Sequence, residues 1–599
     1  MNIFKNFKFV AIAFGASRIY VSCIMFLRMF SAALIPLQAL TIGGLLDALP
    51  GVISAKSITS ALLPLSALFA VLLANYLIQA LDRFIMLVFT MRLEDRLRPA
   101  LVMKINRLSY EHIENNETYD LLERVGEDLP AAVQGGFTNL LDLAEIIISV
   151  LGLIVIIGRS SILVSLVCLL LIIPVVIIAK KSGTEAYEAN VQIAPHARKA
   201  KYFMSVLSSR ETASERKLFG YSGEINRYWN AETDQKNKLD YEMDKKTFIR
   251  AKSISAVFTL LLVVMALLLV WLVKQNIMTA GICISLIITL STFVHTLSWK
   301  LSDMLKMYTN NQLYMEDMER FEQLSEAPNS DLVPDLRIHH MMFESLVFDH
   351  VSFTYPQSER EILHDFSLKI YPGKQYAFVG RNGCGKSTVI KILTGLYPNY
   401  SGKILLNNKD INSFSAAERK AYFAIVYQEY AKYQVTVQEQ LKLGNSDLSK
   451  EEIADLLERM GLSQKVLSLP KGFDAPLGKL ESGSVDLSEG QWQRVALARS
   501  FGRKAKLFVF DEPAAALDAL AENQLYETIR KLSADGRMTT LYITHRLAAA
   551  RLADEIIVMD DGRVIEQGTH DELFAEQSYY AQMFTTQAKW YKEHKERQA

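Results

Sequence analysis

Cysteine is scarce and unpatterned in this chain of 599 residues: there are four, Cys23, Cys168, Cys283 and Cys384. Three lie within apolar runs and Cys384 in a glycine-rich loop, so neither zinc-ligand nor c-type haem spacing is present and no disulfide framework is expected. Charge of one sign is also missing. Lys plus Arg number 65 and Asp plus Glu 65, for a net charge of +0, so there is no global basic footprint and nothing points to nucleic acid. Internal repeats and low-complexity tracts are absent. The opening stretch MNIFKNFKF carries Lys5 and Lys8 and runs into a long apolar segment with no small-residue cleavage site behind it, so no cleaved signal peptide is expected.

What the chain has in excess is apolar sequence, at 50% of residues. Its length exceeds what one hydrophobic core organises, so several domains are expected. Residues 1–325 contain runs long enough to cross a bilayer, which takes about 20 residues each. They fall at about 19–46, 61–81, 139–158, 161–179, 254–273 and 276–299, and some are uniformly apolar, as in LLLVVMALLLVWLV. Soluble helices rarely stay apolar over this length, so six spans are predicted. Short links join the first span to the second, the third to the fourth and the fifth to the sixth, and hold little more than Lys56, Arg159 and Lys274. Two long stretches of helical pattern between the pairs carry the cations: Arg92, Arg96, Arg98, Lys104 and Arg107 in one, Lys180, Lys181, Arg198, Lys199 and Lys201 in the other. The positive-inside rule puts these stretches and both termini in the cytoplasm, with helices extending well past the membrane. At membrane depth, Arg28, Asp82, Arg83, Asp142, Glu145 and His295 stand out. Ionisable groups there face the bundle interior or water. Counting rise per residue from the outer ends sets Arg28 and Asp82 at similar depth, near the cytoplasmic edge, which is read as a structural ion pair with substrate contact as the alternative.

A linker, 326–344, begins in a Pro-, Ser- and Asp-rich stretch, and the pattern then changes. Residues 345–599 alternate short β-rich runs (YAFVG, KLFVF, LYIT, EIIVM) with helical stretches, which predicts an α/β domain with a largely parallel sheet. Directly after YAFV comes GRNGCGKST: Gly380, Arg381, Asn382, Gly383, Cys384, Gly385, Lys386, Ser387 and Thr388. This fits the phosphate-cradling P-loop pattern. Its glycines let backbone N–H groups close around phosphates, Lys386 supplies a point charge, and Ser387 offers a hydroxyl to Mg²⁺. The following helix presents its positive end to the anion. Downstream, the apolar strand KLFVFDEP ends in Asp511 and Glu512. Carboxylates at the tip of a buried strand are costly unless they face a cation or a polar site. Asp511 is placed to hold Mg²⁺ and Glu512 to orient an attacking water; phosphoryl transfer requires that kind of positioning and charge. Between the two lies DLSEGQWQR, in which Ser488 and Gln491 have the form of a helix capping box.

The ordered set of Tyr355 in VSFTYP, the P-loop, Gln428 in VYQEY, LSEGQ, FVFDEP, Asp518 in AALD and His545 in ITHR resembles the nucleotide-binding domain of ABC transporters. The first half is similar to the exporter-type membrane domain, with HIENNETYD and ERKLFGYSGEINRYW resembling its intracellular loops. The resemblance implies a fold class: an all-α six-helix transmembrane domain followed by an α/β P-loop NTPase domain of ABC type. It implies ATP and Mg²⁺ as cofactors. Tyr355 would stack on adenine, and Gln428 would touch Mg²⁺ or the attacking water. Ser488, Gly490 and Gln491 would address the γ-phosphate bound by an opposite subunit, with Asp518 at the subunit interface. Glu512 would be the catalytic carboxylate and His545 its neighbour at the γ-phosphate.

One chain carries one such domain, so the resemblance also implies a second half-transporter, identical or different. The implied activity is ATP-driven export of a drug, lipid or peptide by alternating access; the alternatives are an importer on the same plan or a less active partner in a heterodimer. The expected setting is a bacterial plasma (inner) membrane with the nucleotide-binding domain inside. The spans set aside a soluble ATPase of DNA repair or translation, and the early first span leaves no room for an N-terminal protease domain. One position departs from the family's LSGGQ: Glu489. A carboxylate there repels a γ-phosphate, which is expected to weaken ATP-driven closure or to mark an asymmetric pair.

Overall fold

A computed structural model describes residues 3–55, 58–160, 162, 165, 189, 192–327, 332–335, 342–514, 517, 519–534 and 538–596. The chain divides into two compact units, one formed by Met1–Ile105 and Glu117–Leu324, the other by Asn106–Asn116 and Ser325–Ala599.

The first unit is helical. Its long members are Arg18–Ala55, Thr59–Arg107, Asn116–Ser160, Ser222–Lys274 and Ala280–Gln323. At about 1.5 Å per residue, Thr59–Arg107 extends about 74 Å, more than twice the ~30 Å hydrocarbon thickness, so helix continues well beyond the apolar run. Among the described residues, three segments are long and apolar enough to cross a membrane: Arg18–Ser54, Thr59–Arg107 and Leu129–Arg159. Shorter apolar stretches, Leu262–Lys274 and Ala280–Thr292, overlap parts of the fifth and sixth predicted spans. The fourth, 161–179, lies outside the described residues, as do Lys180 and Lys181; the side chain of His295 is likewise not described. In Thr59–Arg107 the large apolar side chains of Leu63, Phe69 and Phe84 face outward, while Val71, Ile78, Asp82 and Phe89 face inward. An apolar outer surface is what lipid requires, and it forces the one buried acid, Asp82, onto the interior.

There Asp82 Oδ2 meets an Arg28 Nη at 2.8 Å, as the depth count anticipated. Arg28 also reaches Asp142 at 3.0 Å and Glu145 at 3.8 Å, so one guanidinium ties three helices together. Helices Arg18–Ala55 and Ala280–Gln323 approach closely because both contribute glycine. A Cβ on Gly281 would lie 2.4 Å from the Gly43 carbonyl oxygen, and the Gly281 N–H donates to Asp47 Oδ1 at 2.7 Å. Small residues that bring backbones together are a recurrent means of helix association in lipid.

The second unit contains two sheets. Strands β1 (Leu346–Thr354), β2 (Glu361–Ile370), β4 (Ser401–Leu406) and β5 (Lys409–Asp410) form an antiparallel sheet in the order β2-β1-β4-β5. The sequence patterning had not separated this sheet from the parallel one. Strands β3 (Gln375–Gly380), β6 (Phe423–Val426), β7 (Leu507–Asp511), β8 (Thr539–Ile543), β9 (Glu555–Asp560) and β10 (Arg563–Gly568) form the other, in the order β10-β9-β3-β8-β7-β6. It is parallel except for the edge strand β10. The runs YAFVG, KLFVF, LYIT and EIIVM supply β3, β7, β8 and β9. They read as continuous apolar runs because both sheet faces are covered. Side chains alternate along a strand, so Tyr376 and Phe378 enter one core and Ala377 and Val379 the other.

The segment Asn106–Asn116 includes the short helix Tyr110–Glu114, which packs within this second unit. Lys391 Nζ lies 2.5 Å from Glu114 Oε1, and Tyr397 hydrogen-bonds the same carboxylate. The Tyr110 ring stands edge-on to Tyr397 at 5.7 Å.

Phe510 is fully buried in β7 among Phe501 and Phe508. Phe510→Ala should cost about 3–5 kcal/mol by leaving a cavity, read as a lowered unfolding midpoint for the second unit. An unshifted midpoint would contradict this packing.

Candidate functional site

The P-loop begins where β3 ends. Gly380, Gly383 and Gly385 have φ of +152°, +81° and +103°. A side chain at Gly380 would put its Cβ 2.2 Å from the Met559 carbonyl oxygen of the neighbouring strand, so only glycine fits there. The loop turns into the helix Lys386–Leu393. Lys386 is buried, and its ammonium donates to the carbonyls of Gly380 at 2.9 Å and Arg381 at 2.8 Å, inside the curl of the loop. Cys384 is 6% exposed with Sγ 3.7 Å from that ammonium. The Arg381 guanidinium lies over the Tyr579 ring at 5.8 Å, and Asn382 is exposed. Thr388 shares a 3.0 Å hydrogen bond with the hydroxyl of Tyr355, whose ring stands edge-on to Tyr397.

Strand β7 brings its terminal carboxylates to the same edge. Ser387 Oγ donates to Asp511 Oδ2 at 3.1 Å. Burial raises the pKa of Asp511 above the usual carboxylate range, opposed by the Ser387 hydrogen bond and by the charges of Lys386 and His545. A buried carboxylate whose charge is this poorly solvated, next to a hydroxyl and one residue before the glutamate that Gln428 contacts, offers hard oxygen donors of the kind that suit a small divalent cation. Ser387, Gln428 and Asp511 fit Mg²⁺ on that ground.

Glu512 takes φ of +52°, a left-handed conformation that an L-residue adopts at a cost of order 1–3 kcal/mol. The turn is fixed from both sides: the Glu512 N–H donates to the Ile543 carbonyl at 3.0 Å, and Gln493 Nε2 donates to the Glu512 carbonyl at 3.3 Å. Its carboxylate is thereby held between His545 Nε2 at 2.9 Å and Gln428 Nε2 at 3.3 Å. A carboxylate set beside an imidazole and an amide, one residue beyond a buried acid at a P-loop serine, can orient water and accept its proton.

Ser488 caps the helix Glu489–Phe501 as its sequence form predicts. Its hydroxyl accepts from the Gln491 N–H at 3.4 Å, and the Gln491 side chain accepts from the Ser488 N–H at 3.0 Å. Among the described residues, the capped end makes no hydrogen bond to the Glu512 carboxylate. Asp518 lies outside the described residues.

Several contributors had no motif to announce them. Gln587, on the C-terminal helix Tyr579–Glu596, accepts from the Leu547 N–H at 2.8 Å and donates to the His545 carbonyl at 3.0 Å, clipping the chain on both sides of Arg546. Gln493 was visible only as part of a capped helix. Lys432 and Tyr430 lie just beyond Gln428 and engage Glu489.

These features define a P-loop ATPase domain joined to a helical membrane domain. Residues 363–515 match the family model described as ABC transporter, and 21–298 match that of the ABC transporter transmembrane region. The chain belongs to the ABC transporter superfamily: it is a half-transporter of exporter type, with an ATP-binding ATPase coupled to transport. It is 29% identical over 512 residues to the subtilin transport ATP-binding protein of Bacillus subtilis, covering 83% of this chain and 80% of that one. To the nisin transport ATP-binding protein of Lactococcus lactis it is 27% identical, covering 86% of each. Its fold is similar to that of a bacterial Atm1-family ABC exporter solved with ATP bound, with a TM-score of 0.78 at 23% identity over 95% of this chain and 98% of that one.

Two predictions follow from this geometry. Gln587→Leu removes both bonds around His545, each worth about 1 kcal/mol, and should lower ATP turnover roughly tenfold with little change in KM; an unaltered kcat would exclude a positioning role. Because Cys384 is buried beneath the loop, N-ethylmaleimide should label the folded protein slowly there compared with the urea-unfolded chain, as counted by peptide mass mapping. Equal rates would contradict the shielding.

Proposed function

We propose that this chain is one half of an ATP-driven exporter that works by alternating access with a second half-transporter, either a copy of itself or a sister chain. The observation that carries the reading is Glu512, held between His545 and Gln428 at the tip of the strand that also places Asp511 against Ser387. In this reading Tyr355 stacks on adenine, and residues 380–388 wrap the phosphates with Lys386 as their charge. Glu512 orients water toward the γ-phosphorus and takes up its proton, and His545 steadies the phosphate oxygens. Mg²⁺ held by Ser387, Asp511 and Gln428 would supply charge neutralisation at the β- and γ-phosphates.

Ser488, Gly490 and Gln491 act in trans: the capped end of their helix meets the γ-phosphate held by the opposite subunit, so ATP bridges two nucleotide domains facing head to tail. A nucleotide shifts the equilibrium only if it binds the closed arrangement better than the open one, and a shared site meets that condition. Hydrolysis removes the bridge and resets the pump. The cation-rich stretches 92–107 and 198–201 support a cytoplasmic nucleotide domain and an inner-membrane location. The cargo class is a small molecule, lipid or peptide; a Bacillus subtilis relative named as a putative multidrug export ATP-binding/permease protein, 37% identical over 240 residues, supports export over import.

ATPase activity of the full chain in lipid nanodiscs, with Glu512→Gln as the blank, tests this. Turnover is expected to fall at least a hundredfold in the variant, in line with loss of a positioned general base. Turnover by the chain alone means that it pairs with itself; turnover only with a sister half-transporter means a heterodimer. Activity retained in Glu512→Gln would remove the assignment.

A further inference from the structure

The departure at Glu489 has a local answer. Glu489 is the first residue of the helix Glu489–Phe501, where the backbone N–H groups and the helix dipole favour an anion. A carboxylate at that place stabilises the helix but spends the positive field that a phosphate would use. Lys432 Nζ lies 2.7 Å from Glu489 Oε2, and the Tyr430 hydroxyl lies 2.9 Å from both Glu489 Oε1 and the Glu489 carbonyl oxygen. Nearby, Asp486 is matched by Lys479 at 3.1 Å and accepts from the Trp492 indole, so both acids at this end of the helix have a lysine partner.

The pair is not there for stability. The side chains of Lys432 and Glu489 are 41% and 59% exposed, and exposed ion pairs contribute about 0–1 kcal/mol. Glu489 is ionised at neutral pH, and the hydrogen bond from Lys432 is the largest influence holding its pKa below the usual carboxylate value. Tyr430 and Lys432 also lie in the same short segment as Gln428, which contacts Glu512. The segment 428–432 therefore touches the catalytic carboxylate at one end and the start of the helix Glu489–Phe501 at the other.

We infer that Lys432, assisted by Tyr430, is a positioning residue for ATP in trans: it neutralises Glu489, turns that carboxylate aside, and restores an electropositive helix end for the γ-phosphate. This rests on the nucleotide-site reading given above. It recasts the unusual LSEGQ as half of a matched pair rather than a weakened site.

The test is steady-state ATPase kinetics of the assembled transporter in nanodiscs. Lys432→Met should raise KM for ATP about three- to tenfold, the order expected for one unmatched charge at a helix end, with a smaller change in kcat. Lys432→Arg should stay close to the parent. In a Glu489→Gly background, Lys432→Met should have no further effect, because no carboxylate is left to neutralise. An unchanged KM in the single variant overturns the inference. So does an equal rise with and without Glu489, which would mean that the lysine serves the nucleotide directly. A lowered melting temperature for Lys432→Met with no rescue by Glu489→Gly would also overturn it, in favour of a structural role. Failure of the underlying reading shows separately, as turnover that survives Glu512→Gln.

Discussion

The catalytic half of this molecule depends on the register of one strand. In β8, Ile543 is aligned with Phe378 of β3 on one side and with Asp511 of β7 on the other. That double alignment sets the ends of three parallel strands level, so the chain leaves the sheet in three loops along one edge. The P-loop follows β3, Asp511 closes β7 with Glu512 next after it, and His545 lies just beyond β8. Parallel sheets bind ligands at this carboxyl edge because successive loops converge there. A slip of one residue in β8 would carry His545 away from Glu512 and turn the apolar side chains of the strand to the wrong faces.

Holding charge at such an edge requires compensation at short range. Lys386 is satisfied by loop carbonyls, Asp511 by Ser387, and Glu512 by His545 and Gln428. Asp511 remains a carboxylate that burial resists ionising, so a cation or a phosphate-bound metal gains by approaching it. The strained backbone of Glu512 is tolerated because a hydrogen bond on each side of the residue fixes the turn. The site is thus stable without being electrostatically complete.

The same rule operates in the membrane unit, where the environment is harsher. Arg28 and Asp82 would each be costly alone at that depth, and their contact reduces the cost by pairing. Asp142 and Glu145 add their charge to the same guanidinium, so the polar cluster joins three helices whose outer faces remain apolar. The short helix Tyr110–Glu114 uses a comparable device in the second unit, with Glu114 gripped by Lys391 and Tyr397.

Much of this was legible in sequence, and for physical reasons. Bilayer-length apolar runs, two-face-buried strands, the glycine spacing of the P-loop and the Ser488–Gln491 cap are local patterns whose chemistry depends on neighbours in the chain. The pairing of Arg28 with Asp82 was legible by counting, because a helix converts residue number into depth. The antiparallel sheet β2-β1-β4-β5 was less so, since its strands carry weaker alternation and β1 pairs with β4 only after intervening strands and a helix, as in Leu346 with Leu406. Glu489 shows the limit most clearly. The sequence presented it as a defect, because its neighbours in the chain cannot neutralise it. Lys432 stands 57 positions away, and only the packing of the 428–432 segment against the helix brings the charges together. The same holds for Gln587, 42 positions from the carbonyl it secures. Sequence alone determined the chemistry available, the long apolar runs and the ATP-binding motif set. Tertiary structure decided which charge meets which, because Coulombic and hydrogen-bond contacts act over a few ångströms of space regardless of distance along the chain.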